Sequence, residues 1–252
     1  SSQPSPHWLV RVGTDLFWTT LTNISGTNYG SINTVSVSGG PVSGVVGLQE
    51  GFGGFATPFT ADAQHVYWLG DSADVHKTTH DGLTTTVLDG ANPFGTYWMA
   101  SSGSTLWWTL PNQGNVMAVP TTGGPSSVFA GGQALPHGVT YDSLTNSLLW
   151  VSTGTLPASN SDGQIIKVDL NTMVPTVLAT GQAYPLKITS DGVRAFWHEE
   201  TPSLLQQVDI AGGTPVTLTN TGGVVANLAE DTSYVYWTTG NRRLYRVAKY
   251  IP

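Results

Sequence analysis

Apolar residues in this chain recur in short runs with strand character, not along one helical face. Six times, two apolar residues lead into a tryptophan: "LFWTT" (16–20), "VYWLG" (66–70), "LWWTL" (106–110), "LLWVS" (148–152), "AFWHE" (195–199) and "YVYWTTG" (234–240). Each run is rich in aromatic and aliphatic residues and is bounded by polar turn formers, which predicts a strand. The shared Trp residues stand at 18, 68, 108, 150, 197 and 237, with spacings of 50, 40, 42, 47 and 40 residues. Helical repeats of similar length are excluded, because no window sustains a 3.6-residue period and Gly or Pro interrupts nearly every ten residues. Short strands recurring every 40–50 residues or so are the signature of propeller blades with four strands each.

The repeats parse alike. A short first strand often ends in Asp, as in "FTAD" (59–62), "VTYD" (139–142), "ITSD" (188–191) and "LAED" (228–231), and a tight turn leads into the Trp strand. A polar loop then reaches a third strand, such as "QIIKVDL", "LLQQVDI" or "LYRVAKY". Gly-rich turns such as "SGGP" (38–41) and "TGGP" (122–125) suit primed hairpins and introduce a fourth strand, such as "SSVFA" or "PVTLT". The expected architecture is all-β: a six-bladed β-propeller with four-stranded blades, one domain over residues 1–252. The last blade is expected to be incomplete at its outer edge, since Pro4 and Pro6 make residues 1–6 a poor strand. Arg242, Arg243, Arg246 and Lys249 would then guard that edge against pairing.

The repeated Trp is read as structural. Neighbouring side chains on a strand point to opposite faces, and a blade has another blade on each side. Phe17, Tyr67, Trp107, Leu149, Phe196 and Tyr236 are therefore expected to fill one interface and the six Trp the other.

Composition narrows the function classes. Only 10% of residues are charged, against about 25% in an ordinary soluble domain, so Ser, Thr, Asn and Gly supply the polarity. The absence of Cys excludes disulfides, thiolate metal sites and thiol catalysis. Four of the nine cations crowd the last eleven positions, leaving five cations against 16 acids elsewhere. That acidic body argues against nucleic acid as a partner. No apolar run approaches the roughly 18–20 residues of a transmembrane span, and no signal-peptide pattern opens the chain. "SSQPSP" reads as the start of a processed, mature chain, which with the composition predicts a secreted, periplasmic or cell-surface location in a bacterium.

The stretch "DTSYVYWTTGNRRLYRVAKY" (231–250) resembles a repeat of the YWTD-type six-bladed propellers, with Thr239 in place of the final Asp. "IAGGTPVTL" (210–218) with "DTSYVYW" is similar to bacterial secreted propellers of that broad class. The match is strongest in the last repeat and dilute in the others. The resemblance implies the fold; function does not follow from it, because propellers carry binding, scaffolding, hydrolase and lyase activities on one frame.

Function in such a frame is expected at one mouth of the central channel. Counting back ten or eleven residues from each shared Trp places His7, Trp8, Tyr97, Trp98, Lys187 and Asn227 there, and His137 once two extra residues of the fourth repeat are allowed for. Trp8 and Trp98 are surplus to the shared blade position. These residues either plug the channel or form a pocket with aromatic walls and a few hydrogen-bonding tips. The second case predicts a non-enzymatic binding module that takes a small ligand, glycan, peptide or protein partner. Its ligand-binding residues are Trp8, Tyr97, Trp98, His137, Lys187 and Asn227. One alternative is a hydrolase or lyase using His7 and His137 as general acid and base; another is a structural subunit of a cell-surface assembly. "TNISGTNYG" (22–30), "GDSAD" (70–74), "STGTLPASNSDG" (152–163) and "HEETP" (198–202) are expected as rim loops, and His65, His76 and His80 as surface or turn residues.

No metal or cofactor is expected. Six-bladed hydrolases of the lactonase type hold Ca²⁺ through several carboxylate and amide oxygens, as a hard cation requires, and here the mouth offers Asn227 alone. Two His do not complete a zinc site, and the adjacent Glu199 and Glu200 face apart on a strand. Thermal melts with and without a strong chelator should therefore superimpose. A drop of more than about 5 °C, the effect of roughly 1 kcal/mol or more in a domain of this size, would overturn that expectation.

Overall fold

A computed structural model describes residues 5–50, 58–70, 74–90, 98–156, 161–240 and 243–249. The chain forms two compact units, residues 1–108 with 117–128, and residues 109–116 with 129–252. Its strands order into six sheets, each a meander in which consecutive strands pair. The first holds β1 (Ser5–Val12), β2 (Asp15–Ile24), β3 (Thr27–Ser36) and β4 (Ser43–Glu50). The second holds β5 (Phe59–Ala61), β6 (His65–Leu69), β7 (Val75–Thr79) and β8 (Thr85–Asp89). The third holds β9 (Met99–Ser101), β10 (Thr105–Leu110), β11 (Asn115–Pro120) and β12 (Ser127–Ala130). The fourth holds β13 (Pro136–Asp142), β14 (Ser147–Ser152), β15 (Gly163–Asp169) and β16 (Val174–Gln182). The fifth holds β17 (Pro185–Ser190), β18 (Arg194–Glu199), β19 (Leu204–Asp209) and β20 (Val216–Asn220). The sixth holds β21 (Val225–Glu230), β22 (Tyr234–Thr239) and β23 (Leu244–Ala248), three strands among the described residues. The one helical element described is a 3₁₀ turn at Pro111–Gln113. No described helix is long and apolar enough to cross a membrane.

All six shared Trp lie on the second strand of their sheet, and in four of these strands both faces are covered. Trp68, Trp108, Trp150, Trp197 and Trp237 are buried, and so are Phe17, Tyr67, Trp107, Leu149 and Phe196 beside the repeated Trp. Trp18 and Tyr236 are half-buried. In the first unit, Phe17 of the first sheet and Trp68 of the second share one apolar cluster with Ile32, Val46 and Phe59. In the second unit, Leu149 joins Trp197, and Phe196 joins Trp237, each pair in its own cluster. In these three pairs the residue before the Trp in one sheet packs with the Trp of the next. Each Trp removes roughly 150–250 Å² from water, which makes this the main packing term.

The Asp that closes four of the first strands shapes the turn into the Trp strand. The Oδ1 of Asp62 accepts the N–H groups of Gln64 and His65, both at 2.9 Å. Asp142 does the same for Leu144 and Thr145, Asp191 for Val193 and Arg194, and Asp231 for Ser233 and Tyr234. An acceptor two and three residues ahead of the donors holds the tight turn, and in three of the four the Asp N–H also donates across it, to the carbonyls of His65, Arg194 and Tyr234. In two of these turns the other oxygen accepts a tyrosine hydroxyl from the next strand, Tyr67 for Asp62 and Tyr236 for Asp231.

The structure departs from the sequence reading at several places; one is "HEETP", whose His198 and Glu199 are buried residues of β18 and not a rim loop. "TNISGTNYG" is no rim loop: β2 and β3 pair without interruption up to Ile24 and Thr27. Ser25 and Gly26 have φ of 53° and 91°, a two-residue primed turn that matches strand twist and lets the ribbon run to its tip. Ser5 and Pro6 belong to β1 and pair with Leu21 and Thr20. Proline is tolerated there because β1 is an edge strand whose N–H is not needed. Lys249 does not guard an edge. It is buried, and its Nζ lies 2.7 Å from Asp191 Oδ2 and 2.6 Å from Glu230 Oε2. Arg242 lies outside the described residues, and Arg246 stacks over the Tyr234 ring at 4.5 Å.

The Lys249 cluster links the turn after β17 to β21 and has a defined pH signature. Burial pushes the Asp191 carboxyl up, but the Lys249 hydrogen bond and the Arg194 and Val193 N–H groups outweigh it and hold the carboxyl below its ordinary 3.8. Burial likewise works against the Lys249 ammonium, yet its two carboxylate partners raise it above 10.5. The stabilisation is present between those two ordinary values. It is lost as pH falls through the depressed Asp191 value, or rises through the elevated Lys249 value. Lys249→Met should cost about 3 kcal/mol in chemical denaturation at pH 7, since two partly buried carboxylates lose their cation. A loss under about 0.5 kcal/mol would show a merely superficial ion pair.

Candidate functional site

Four of the six first strands carry a register break at the end where they begin. β1, β13, β17 and β21 each shift register near their start: between Pro6 and Leu9, Pro136 and Val139, Pro185 and Lys187, and Val225 and Asn227. Bulges re-aim side chains away from regular alternation, and Trp8, His137, Lys187 and Asn227 fall at these breaks. Tyr97 and the His7 side chain lie outside the described residues. The others group within the two units separately.

In the first unit, Trp8 sits at the β1 bulge and Trp98 just ahead of β9; both are half-buried. Their rings meet edge to face, with centroids 5.3 Å apart at 72°. The Trp8 N–H donates to Thr19 Oγ1 at 3.2 Å, fixing the backbone under the ring. Trp8 also packs against the apolar cluster around Phe17. One side of the pair is supported and the pair is not fully covered.

In the second unit, β13 and β17 approach so closely that only glycine fits between them. A Cβ on Gly138 would lie 2.6 Å from the Leu186 carbonyl oxygen and 3.0 Å from Lys187 Cα. This contact sets His137 of β13 beside Lys187 of β17. His137 is buried, with Nδ1 2.7 Å from Thr153 Oγ1. The Thr153 hydroxyl donates its one proton to the Pro185 carbonyl at 2.9 Å, so it accepts from His137. The neutral imidazole therefore carries its proton on Nδ1, leaving the lone pair on Nε2. Lys187 pairs in register with His198 of β18, while Ile188 pairs with Trp197. Lys187 and His198 thus share the face opposite the structural Trp. His198 is fully buried, and neither ring nitrogen has a hydrogen-bond partner among the described residues.

The charges of this cluster follow from its burial. Desolvation, and then the Lys187 charge, lower His137 and His198 to about 4 each. Lys187 falls to about 8, again by burial, with Glu200 pulling the other way. At neutral pH two uncharged imidazoles flank an amine that gives up its proton more easily than usual.

Asn227 stands apart. It is half-buried at the β21 bulge, and its Oδ1 accepts the N–H of Leu228 at 3.0 Å, a local bond that shapes the bulge. Glu199 is buried and accepts from the Ala183 N–H at 3.0 Å and Gln206 Nε2 at 3.3 Å. It is a support for the chain ahead of β17. His76 stacks on Trp68 at 4.3 Å on β7 and is a packed ring, not a surface or turn residue; His80 sits in the turn after β7, as expected, with its ring against Phe17 at 4.5 Å. No three His, Asp or Glu converge among the described residues as a metal site would need.

The sequence reading missed two features. His198 directly follows a structural Trp, and strand alternation would have separated the two faces, but its pairing with Lys187 needs the register. A groove of about 480 Å³ also opens in the second unit, lined by Phe129, Trp150, Asp162, Ile166, Pro175 and Val177 among others. Asp162 there anchors the loop after β14 by accepting from Thr155 N at 3.0 Å and Oγ1 at 2.6 Å.

No protein-family model and no curated protein matches the sequence. Solved structures do match the fold. One is a chain from the crystal structure of a nidogen/laminin complex, 14% identical, covering 94% of this chain and 86% of that one, with a TM-score of 0.66. Another is virginiamycin B lyase from Staphylococcus aureus, a catalytically inactive His→Ala variant crystallised with quinupristin. It is 12% identical and covers 98% of this chain and 95% of that one, with a TM-score of 0.69. The fold is a six-bladed β-propeller.

The buried imidazoles give a direct check of the second-unit cluster. In an NMR titration His137 and His198 should stay neutral at pH 6 and titrate near 4, with His137 in its Nδ1–H form. Because the unfolded chain takes up these protons near 6.5, stability should fall as pH drops from about 6.5 to 4. Titration of either residue near 6.5 in the folded protein would show an open, solvated cluster.

Proposed function

We propose that residues 1–252 act as one propeller domain of the YWTD-like bacterial secreted kind, a binding module outside the cytoplasm without catalysis of its own. Its ligand is a glycan, a small molecule or a peptide with an aromatic side chain, received on the Trp8–Trp98 pair. The observation that carries this reading is that pair: two half-buried indoles in edge contact at positions that blade packing does not require. Apolar surface left in water costs on the order of 25 cal/mol per Å², and a ring that stacks there recovers that cost. That one fold neighbour was crystallised in a protein–protein complex and another with a small molecule is consistent with recognition on this frame, and no more specific than that. The runner-up, a hydrolase or lyase using His7 and His137, draws on the neutral Nε2 of His137 as a proton acceptor.

The test is paired substitution, Trp8→Ala with Trp98→Ala, on glycan and peptide arrays beside the parent protein. The parent should bind at least one class, and the folded double mutant should bind it at least about ten-fold more weakly, the loss of roughly 1.4 kcal/mol of ring contact. Equal binding by the double mutant, or no binding by the parent on either array, would refute the reading.

A further inference from the structure

We propose that the groove of about 480 Å³ in the second unit is a second binding site, one that takes a small organic cation with an apolar body, an alkyl or arylalkyl amine. This goes beyond the aromatic pair and uses only residues of the second unit. The floor of the groove is one face of the fourth sheet. Ile166 of β15 pairs with Trp150 of β14 on one side and with Val177 of β16 on the other, Val168 pairs with Pro175, and Gln164 with Ser152. Successive strand residues point to opposite faces, and the alternate set, Leu149, Val151, Ile165 and Leu178, is sealed in the apolar cluster with Trp197. A bulge in β16 sends both Leu178 and Ala179 to that sealed side, since Ile165 pairs with Ala179 and Ile166 already with Val177. On the groove side Val177 stays 48% and Met173 57% exposed.

The wall of the groove is pre-formed. Gln133 accepts the Trp150 ring N–H on Oε1 at 3.1 Å and donates from Nε2 to the Gly131 carbonyl at 3.0 Å. The Ser152 hydroxyl donates to the Ala134 carbonyl at 2.9 Å, and Phe129 meets the Trp150 ring edge to face at 6.4 Å. The segment after β12 is thus tied to β14, and the space it encloses falls within the roughly 300–1,000 Å³ of small-ligand sites. Charge then selects the ligand. Among the described residues that line the groove, Asp162 alone is charged. Lys167, the cation of β15, lies on the other face and donates to the Ile210 carbonyl at 3.1 Å. The Thr155 hydroxyl, and then its N–H, hold the exposed Asp162 carboxyl below its ordinary 3.8, so it is an anion at neutral pH. These donors use only part of the roughly four acceptor positions of a carboxylate, and a cationic donor makes the strongest use of the rest. Asp162 precedes Ile166 by four residues, about 13 Å of extended chain, so the cation and the apolar body are set apart by the length of a short alkyl spacer.

The experiment is a titration of the intact chain with probes of one shape and different charge. 4-Phenylbutylamine, 4-phenylbutanol and 4-phenylbutyrate are compared at pH 7, read from the methyl resonances in two-dimensional NMR. The amine should shift the methyls of Ile166, Val168, Met173 and Val177 saturably. It should bind at least about three-fold more tightly than the alcohol, the scale of one ionic contact at an exposed carboxylate, and 4-phenylbutyrate should bind more weakly still. Asp162→Asn, which keeps an acceptor for the Thr155 N–H, should bring the amine down to the affinity of the alcohol. Val177→Lys, at an exposed position, should weaken the amine by a similar factor by placing a cation in the groove. Should either variant not fold, the ranking of the probes on the parent decides alone. Equal affinity for the three probes overturns the proposal, as does the absence of saturable shifts at those methyls with about 10 mM amine. Shifts centred on residues of the first unit overturn it too. So does a folded Asp162→Asn or Val177→Lys protein that binds the amine as tightly as the parent.

Discussion

In four of the six sheets the second strand is buried on both faces, and the rest of the molecule is arranged around that requirement. A strand covered on one side alternates buried and open positions, as β22 does, whereas these four carry consecutive large apolar residues that are covered on either side. Leu149 with Trp197 and Phe196 with Trp237 are the visible outcome. With 10% of residues charged, the chain has few long polar side chains to shield apolar surface. Its stability rests on these matched ring and aliphatic contacts, each too large to lose without a cavity.

The two ends of a sheet are treated differently, and that difference separates scaffold from chemistry. At the end where the first strand turns into the second, one carboxylate oxygen holds two N–H groups in four of the six sheets. The turn is the same each time because the same bonds are available each time. At the opposite end the first strands slip register, and the residues at the slip differ from sheet to sheet: Trp8, His137, Lys187 and Asn227. A regular ladder constrains side chains to two directions. A bulge frees one residue from that alternation, so variation there changes chemistry without disturbing the core.

Placing a lysine and two histidines in one low-dielectric cluster has an electrostatic consequence that an ion pair would not. At Lys249 the ammonium is raised by two carboxylates and the charge is locked in. At Lys187 burial dominates, and all three groups shift toward their uncharged forms. The first arrangement holds its charge, whereas in the second burial outweighs the pull of Glu200 and favours the neutral forms.

Six repeats, their strand character, the buried Trp and the all-β propeller were all legible in the sequence, because two-sided burial writes consecutive apolar residues at a fixed period. The start of each first strand was legible too, by counting from the Trp, which is why Trp8, Trp98, His137, Lys187 and Asn227 were found. Partnership was not. The sequence placed Lys187 at the start of a first strand but counted His198 into a rim loop; only the fold, with β18 running through Glu199 and the bulge at Pro185, set the two in one register pair. Composition placed Lys249 in a basic cluster, whereas the fold buried it between Asp191 and Glu230, 58 and 19 residues away. Nor could a string of letters show that Gly138 is needed for space and not for its backbone freedom. Period and alternation are local properties that a chain carries in its order of residues. Register across a bulge, and the distance between two strands, exist only once the sheets have packed.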